Sequence, residues 1–117
     1  MDANALVASV RHSGEVAIVD LAGQLDGTAE KTLEAVWEAV GDAPVVALNF
    51  SKATYINSTG IALIVGFLGR ARSKKKTVRA FGLMDHYREI FNITRLSDFI
   101  EIHGDEAGAV EGLAANA

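Results

Sequence analysis

The sequence predicts an α/β fold, a mixed and mostly parallel sheet of four to five strands with helices mainly on one face. Apolar, β-branched runs alternate with segments whose apolar residues recur every three or four positions. That alternation implies parallel strands with right-handed crossovers. The first two apolar runs flank a short polar turn, which is typical of a hairpin. The 117 residues suit one domain, expected over 1–117, with a core of about 5–103 and a C-terminal tail of 104–117.

The N-terminal part contains the predicted hairpin. Its strands are expected at residues 5–10 and 16–21, with the turn at 11–15. A loop over 22–27 then leads to a helix, for which Asp26 or Thr28 can serve as the N-cap. This helix is amphipathic and should end near Gly41. Its apolar positions are Leu33, Val36, Trp37 and Val40.

The central segment begins with a strand at residues 45–48, directly after the single proline. No polar residue interrupts it, so both of its faces should be buried. A polar loop is expected at 49–57, followed by a helix. Asn57 suits the N-cap of that helix, which places Ser58 at the first helical position with its hydroxyl outward. Free N–H groups and the positive end of the helix dipole favour an anion there, so a phosphate on Ser58 would require no refolding.

This central helix has two distinct faces. The broad apolar face, which should meet the core, carries Gly60, Ile61, Ile64, Phe67, Leu68 and Ala71. The opposite face is small rather than charged, and it carries Ser58, Ala62, Gly66, Gly69 and Ser73. Each glycine inside a helix costs about 1 kcal/mol relative to alanine. We therefore expect another chain segment to approach this face, either a neighbouring helix of the same domain or a second protein.

The C-terminal part should add a strand at 77–81 and a short helix capped by Asp85. The apolar face of that helix is Tyr87, Ile90 and Phe91, and a brief last strand follows near Ile102. From residue 104 the composition becomes rich in alanine, glycine and glutamate, which indicates a short terminal helix with a frayed end.

The composition argues against several classes of function. The net charge of −4 disfavours nucleic acid or an anionic membrane as a partner, and the absence of cysteine excludes disulfides and thiolate chemistry. No signal peptide or membrane span is apparent, so a cytoplasmic protein is expected. The basic run of Arg70, Arg72 and residues 74–76 suits a solvated helix C-terminus, because no aromatic residues interleave with it.

Catalytic motifs are missing from the sequence as well. His12, His86 and His103 have no second ligand at metal spacing, so no metal site is predicted. Ser58 does not lie in a Gly-x-Ser-x-Gly turn, and no Gly-rich phosphate-binding motif occurs. We therefore expect neither an enzyme nor a bound cofactor.

Two segments carry a resemblance to a known family. Residues 48–51 read Leu-Asn-Phe-Ser, and residues 55–61 read Tyr-Ile-Asn-Ser-Thr-Gly-Ile. They are similar to the STAS domain of anti-sigma factor antagonists, in which an apolar strand and a loop precede Asp-Ser-Ser-Gly at a helix start. Further agreement at 21–26, 78–82 and 90–99 extends the resemblance over about 7–102.

The resemblance implies a single STAS domain that acts as a phosphorylation-controlled binding switch. In such proteins the serine matching Ser58 is phosphorylated by a partner that is both an anti-sigma factor and an ATP-dependent serine kinase. The unphosphorylated form binds that partner, and a PP2C-type phosphatase resets the cycle. Thr59 is the second-choice acceptor. The expected partner-binding residues are Asn57, Ser58, Thr59, Ala62, Gly66, Gly69 and Ser73.

The sequence departs from the family pattern at two positions. Asn57 and Asn49 stand where the family usually has aspartate. An asparagine preserves the helix cap but removes a carboxylate beside the acceptor hydroxyl. The alternative is therefore a STAS adaptor that docks through the same helix without being phosphorylated.

Overall fold

The computed structural model describes residues 5–115, with side chains up to residue 110. It contains five strands, β1 (Val7–Ser13), β2 (Val16–Leu25), β3 (Val45–Ile56), β4 (Thr77–Phe81) and β5 (Glu101–His103). The α-helices are α1 (Glu30–Val40), α2 (Ser58–Ser73), α3 (Asp85–Ile93) and α4 (Glu106–Ala115). Short 3₁₀ turns occupy Gly27–Ala29 and Leu96–Asp98. The predicted frayed end falls on residues 116–117, outside the described residues.

The strands form one mixed sheet in the order β1-β2-β3-β4-β5. β1 pairs antiparallel with β2, and all later pairs are parallel, which confirms the predicted hairpin and the predicted mostly parallel sheet. The hairpin turn is shorter than expected, because pairing continues to Ser13 and Val16. Gly14 takes φ +58° in this turn, a conformation that glycine adopts without strain.

The two faces of the sheet are covered unequally. α1, α2 and α3 pack on one face over the larger core, which includes Val19, Leu48 and Ala80 of the central strands. Alternate residues of the same strands, such as Ile18 and Ala47, point to the other face, where α4 covers them. Helices thus lie mainly on one face, as predicted, and residues 45–48 are buried on both faces.

The predicted loops at 49–57 and 22–27 are wrong, because strand structure replaces most of each. β3 runs on to Ile56, and β2 runs on to Leu25 beside it. The extended strands pair with shifts in register, which change the spacing at which residues turn inward. Phe50, Ala53 and Ile56 are buried at intervals of three. The residues between them are polar, so the composition of this stretch resembles that of a loop although it forms a strand.

Two expected helix caps differ from the structure. Asp85 is the first residue of α3 rather than its cap, and Met84 occupies the N-cap without a side-chain hydrogen bond. Asp26 does cap, but it caps the short 3₁₀ turn that precedes α1, where its carboxylate accepts from the Thr28 N–H. A carboxylate in the first turn of α3 still interacts favourably with the helix dipole.

Two arginines attach α4 to the sheet. Arg79 on β4 is 2% exposed, and its guanidinium donates to the Ala109 carbonyl at 2.7 Å and to the Glu101 carboxylate at 3.0 Å. On the far side, Arg11 of β1 donates to Asp20 at 2.7 Å and to Glu106 at 3.0 Å. The Arg11 guanidinium lowers the pKa of both carboxylates, because it hydrogen-bonds to their ionised forms. Polar contacts therefore hold α4 at its N-terminal turn, through Glu106 and Ala109.

The first turn of α2 packs directly on the end of β2. A Cβ atom added at Gly60 would lie 1.9 Å from the Leu25 carbonyl oxygen and 2.7 Å from the Leu25 carbonyl carbon. The same carbonyl accepts a hydrogen bond from the Asn57 N–H at 3.2 Å. Residue 60 must therefore be glycine for the helix to start this close to the neighbouring strand.

We predict that Gly60→Ala destabilises the fold by about 2 kcal/mol or more, because the methyl group forces two backbone segments apart. Gly66→Ala and Gly69→Ala are matched controls in the same helix, where an added Cβ meets nothing within 4 Å. Each control should instead raise stability by up to about 1 kcal/mol. Urea denaturation of the three variants measures these changes, and a neutral Gly60→Ala would refute the packing argument.

We predict that Arg11→Ala lowers the thermal unfolding midpoint at pH 7, and that this effect shrinks steadily as the pH is lowered below 4 through the lowered pKa values of Asp20 and Glu106. The carboxylates of Asp20 and Glu106 have lowered pKa values in the fold, so their contribution is present above about pH 4 and lost as both become protonated. The ion pairs are partly exposed, so the loss should be about 1 kcal/mol at most. Arg88→Ala, at an exposed position on α3, is the control, and equal shifts in both variants would contradict the assignment.

Candidate functional site

The candidate site is the junction at which β3 ends and α2 begins. Asn57 has extended backbone geometry, and its side-chain oxygen accepts from the Gly60 N–H at 2.9 Å. Its own carbonyl accepts the first helical hydrogen bond, from the Ile61 N–H at 2.9 Å. Asn57 is thus the N-cap of α2, and Ser58 is the first helical residue, as the sequence predicts.

The end of β2 forms one wall of this junction. The turn at Gly27 lies against α2, since a Cβ added there would be 3.3 Å from the Thr59 methyl group. Beside it, Asp26 accepts hydrogen bonds from the hydroxyl and the N–H of Thr28, and these bonds lower the pKa of its carboxyl group. From the sequence, Asp26 is predicted only as a helix cap. Its position near the site follows from the parallel pairing of β2 with β3, which brings their carboxyl ends to one edge.

A buried tyrosine supports the junction from below. The hydroxyl of Tyr87 on α3 accepts a hydrogen bond from the Ile56 N–H at 3.1 Å. Tyr87 is 8% exposed, so its hydroxyl satisfies a donor at the last residue of β3. From the sequence, Tyr87 is predicted only as part of the apolar face of α3. No sequence signal pointed to this contact, because it joins residues 31 positions apart.

The predicted docking face of α2 is open in the described part of the chain. Ser58, Thr59, Ala62, Gly66, Gly69 and Ser73 are all exposed, and Asn57 is half-buried by its capping role. No neighbouring helix within residues 5–110 covers the glycines, since a Cβ added at Gly66 or Gly69 would meet nothing within 4 Å. The interpretation of tight packing inside the domain is therefore wrong. The buried face of α2 consists of the residues predicted to meet the core, although Ile61 is only half-buried.

The margin of this face carries apolar and cationic side chains. Val65 is 50% exposed beside the glycines, and Phe99 is 56% exposed. The Arg72 guanidinium lies over the Phe99 ring at 5.5 Å. Arg70 is bound to Glu34 at 2.7 Å and stacks on Trp37. The basic end of α2 thus contacts neighbouring side chains of the same domain, rather than forming a continuous nucleic-acid surface.

The described residues contain no group of three side chains that could hold a metal ion. Along residues 5–115, none of the helices combines the length and the apolar character that a bilayer crossing requires. What the junction offers chemically is an exposed hydroxyl at a helix N-terminus, held by a rigid strand and helix. Such a group can accept a phosphate, and the neighbouring face can admit a second protein.

Comparison with known proteins agrees with this architecture. Residues 8–102 match the family model described as "Mlab, STAS domain". The chain is 36% identical over 89 residues to the anti-sigma-B factor antagonist of Listeria monocytogenes, which covers 74% of this chain and 77% of that protein.

Solved structures show the same fold. An anti-sigma factor antagonist from Mycobacterium paratuberculosis superposes with a TM-score of 0.81 at 15% identity, over 97% of both chains. The unphosphorylated form of the anti-sigma factor antagonist SpoIIAA gives a TM-score of 0.74 at 17% identity, over 93% of this chain and 97% of that one. Together, the family match, the curated relative and the sheet that presents Ser58 at the start of α2 lead to one conclusion: the chain belongs to the STAS domain family.

Proposed function

We propose that this chain is an anti-sigma factor antagonist whose binding is controlled by phosphorylation of Ser58. The unphosphorylated form binds an anti-sigma factor that is also a serine kinase, and a PP2C-type phosphatase restores that form. The chain is a substrate in this cycle and not a catalyst. The observation that carries the proposal is the exposed Ser58 hydroxyl at the N-terminus of α2, next to an open face of small residues.

The relatives support the class of partner. The curated relative from Listeria monocytogenes is an antagonist of an anti-sigma-B factor, and it covers most of this chain. A structural neighbour is SpoIIAA of Bacillus in its phosphorylated form, with a TM-score of 0.70. A protein that acts on transcription in this way works in the cytoplasm.

The magnitudes explain how one phosphate can control binding and leave the fold unchanged. A phosphate adds about −1.5 to −2 charges. At an exposed helix N-terminus an anion contributes only about 0.3–1 kcal/mol, in the favourable direction. Buried without a counter-charge in an interface, the same group costs several kcal/mol. Because each 1.4 kcal/mol changes affinity about tenfold, a complex formed over Ser58 loses orders of magnitude in affinity.

The docking face consists of the predicted partner-binding residues on α2 and its cap. Glycine and alanine allow the partner's backbone to approach the helix closely, and the exposed Val65 adds apolar area beside them. Ser58 lies at one end of this face, so a partner that also covers the first turn of α2 would bury a phosphate there.

A STAS adaptor that is never phosphorylated is the second candidate. Asn57 favours it, because this residue replaces the carboxylate that the family usually has beside the acceptor hydroxyl. The half-buried Asp26 near α2 favours the switch instead, since its carboxylate supplies a negative charge from the neighbouring turn. Phosphate mapping decides between the two.

We predict that incubation with ATP and the anti-sigma-type serine kinases of the source genome places phosphate on Ser58. Mass spectrometry of the wild type, Ser58→Ala and Thr59→Ala should show loss of the modification only in Ser58→Ala. Ser58→Asp should weaken kinase binding at least tenfold in a titration, with a thermal midpoint close to that of the wild type. Ala62→Arg should block binding while Ser58 stays intact. Binding of Ser58→Asp at wild-type affinity would overturn the switch.

We predict that Asn57→Asp keeps the fold and speeds phosphorylation, because aspartate also caps a helix and restores a carboxylate near the hydroxyl. Asn57→Ala removes the oxygen that accepts from the Gly60 N–H, so it should lower the free energy of unfolding by about 1 kcal/mol. Denaturation curves and initial rates of phosphate incorporation measure the two effects. Equal rates for Asn57→Asp and the wild type would show that residue 57 does not limit the reaction.

A further inference from the structure

β1 forms one edge of the sheet, and within residues 5–115 no strand pairs with its outer side. It is seven residues long, whereas the opposite edge strand has three. The two-residue turn joins Ser13 to Val16, a pair that exchanges both hydrogen bonds in such hairpins. Since this pattern alternates along the ladder, Ala8, Val10 and His12 direct their backbone N–H and C=O groups outward.

The usual protections of an edge strand are weak here. β1 contains no proline, no acidic residue and no lysine, and Arg11 is its single arginine. The Arg11 guanidinium is held by Asp20 and Glu106, so it is drawn over the face of the sheet that carries α4. The outer backbone of β1 therefore remains accessible for pairing.

A groove of about 520 Å³ runs between β1 and α1. Its lining includes Ala8 and Val10 from the strand, and Thr32, Ala35 and Ala39 from the helix. These side chains are small or apolar, so the groove can admit side chains from a strand added at the edge.

We propose that β1 pairs antiparallel with β1 of a second copy of this chain, about a two-fold axis at Val10. The two sheets then form one continuous ten-stranded sheet. Val10 is the midpoint of β1, so this register pairs all seven residues and sets Ala8 opposite His12 of the second copy. Every outward N–H and C=O of the strand then finds a partner, because all three outward residues lie in hydrogen-bonded pairs.

The side chains fit a second copy in this register. Arg11 lies opposite Ser9 of the second copy, so the two arginines do not face each other directly. On the groove side the two α1 helices then run in antiparallel directions, and Thr32, Ala35 and Ala39 give each helix a small surface there. Lys31, which lines the groove near the helix N-terminus, then lies toward the C-terminal end of the other α1, where free carbonyls favour a cation.

Sedimentation equilibrium tests the association. An edge contact of this size should give a weak dimer, with a dissociation constant of roughly 10–500 μM. Ser9→Lys should weaken the dimer at least fivefold, because the added charge faces Arg11 of the second copy. Within one chain the same lysine lies opposite Asp20, so the monomer stays folded. Thr54→Lys adds an equal charge at an exposed position on β3 and should leave association unchanged.

Single cysteines test the register, because the chain has none of its own. Val10→Cys should form an intermolecular disulfide on mild oxidation, since a residue on the axis meets its own copy at a Cα–Cα distance of about 5.5 Å. Val7→Cys is the matched control. Val7 is 67% exposed, so random collisions would cross-link it readily, yet in the proposed register it faces Ser13 and not itself.

A monomer throughout the range up to about 1 mM would overturn the proposal, and so would cross-linking of Val7→Cys as fast as Val10→Cys. Association that Ser9→Lys leaves unchanged would place any dimer at another surface and equally overturn it. None of these results depends on Ser58, so the outcome is separate from that of the phosphorylation experiments.

Discussion

The close contact between the first turn of α2 and the end of β2 is the constraint on which the rest of this structure depends. The Leu25 carbonyl lies where a side chain at residue 60 would be, and it also accepts the Asn57 N–H. The strand order brings this carbonyl to the same sheet edge at which β3 ends. The position of Ser58 is therefore set by backbone atoms, and side-chain packing beneath it needs only to keep the helix in place.

The same contact explains why the site tolerates a charge. The groups that fix the helix start are a capping amide, a glycine and a strand carbonyl, and none of them uses the Ser58 hydroxyl. Tyr87 supports the junction from the core side, away from the exposed turn. A modification of Ser58 thus changes the surface that a partner meets, with little effect on the interactions that hold the domain together.

The sequence was sufficient for the helices and for the start of α2, but not for the length of the strands. The periodicity of α2 and the capping preference of Asn57 are local, and local signals identified both. β3 beyond residue 50 is different, because Ala53 and Ile56 turn inward only after the register with β2 shifts. That shift depends on a strand more than 20 residues away, so no window of the sequence reveals it. The roles of Tyr87 and Asp26 at the site were missed for the same reason.

The packing of α4 on the sheet depends in part on a main-chain atom of the helix. Arg79 reaches the Ala109 main-chain oxygen, and Ala109 itself is fully buried against the sheet. A hydrogen bond to a main-chain carbonyl does not depend on the side chain of the residue that carries it. Over residues 106–110, where its side chains are described, the helix should therefore be restricted mainly by the carboxylate of Glu106 and by the small volume required at Ala109, and related chains can diverge at the other positions there while the strands beneath stay recognisable.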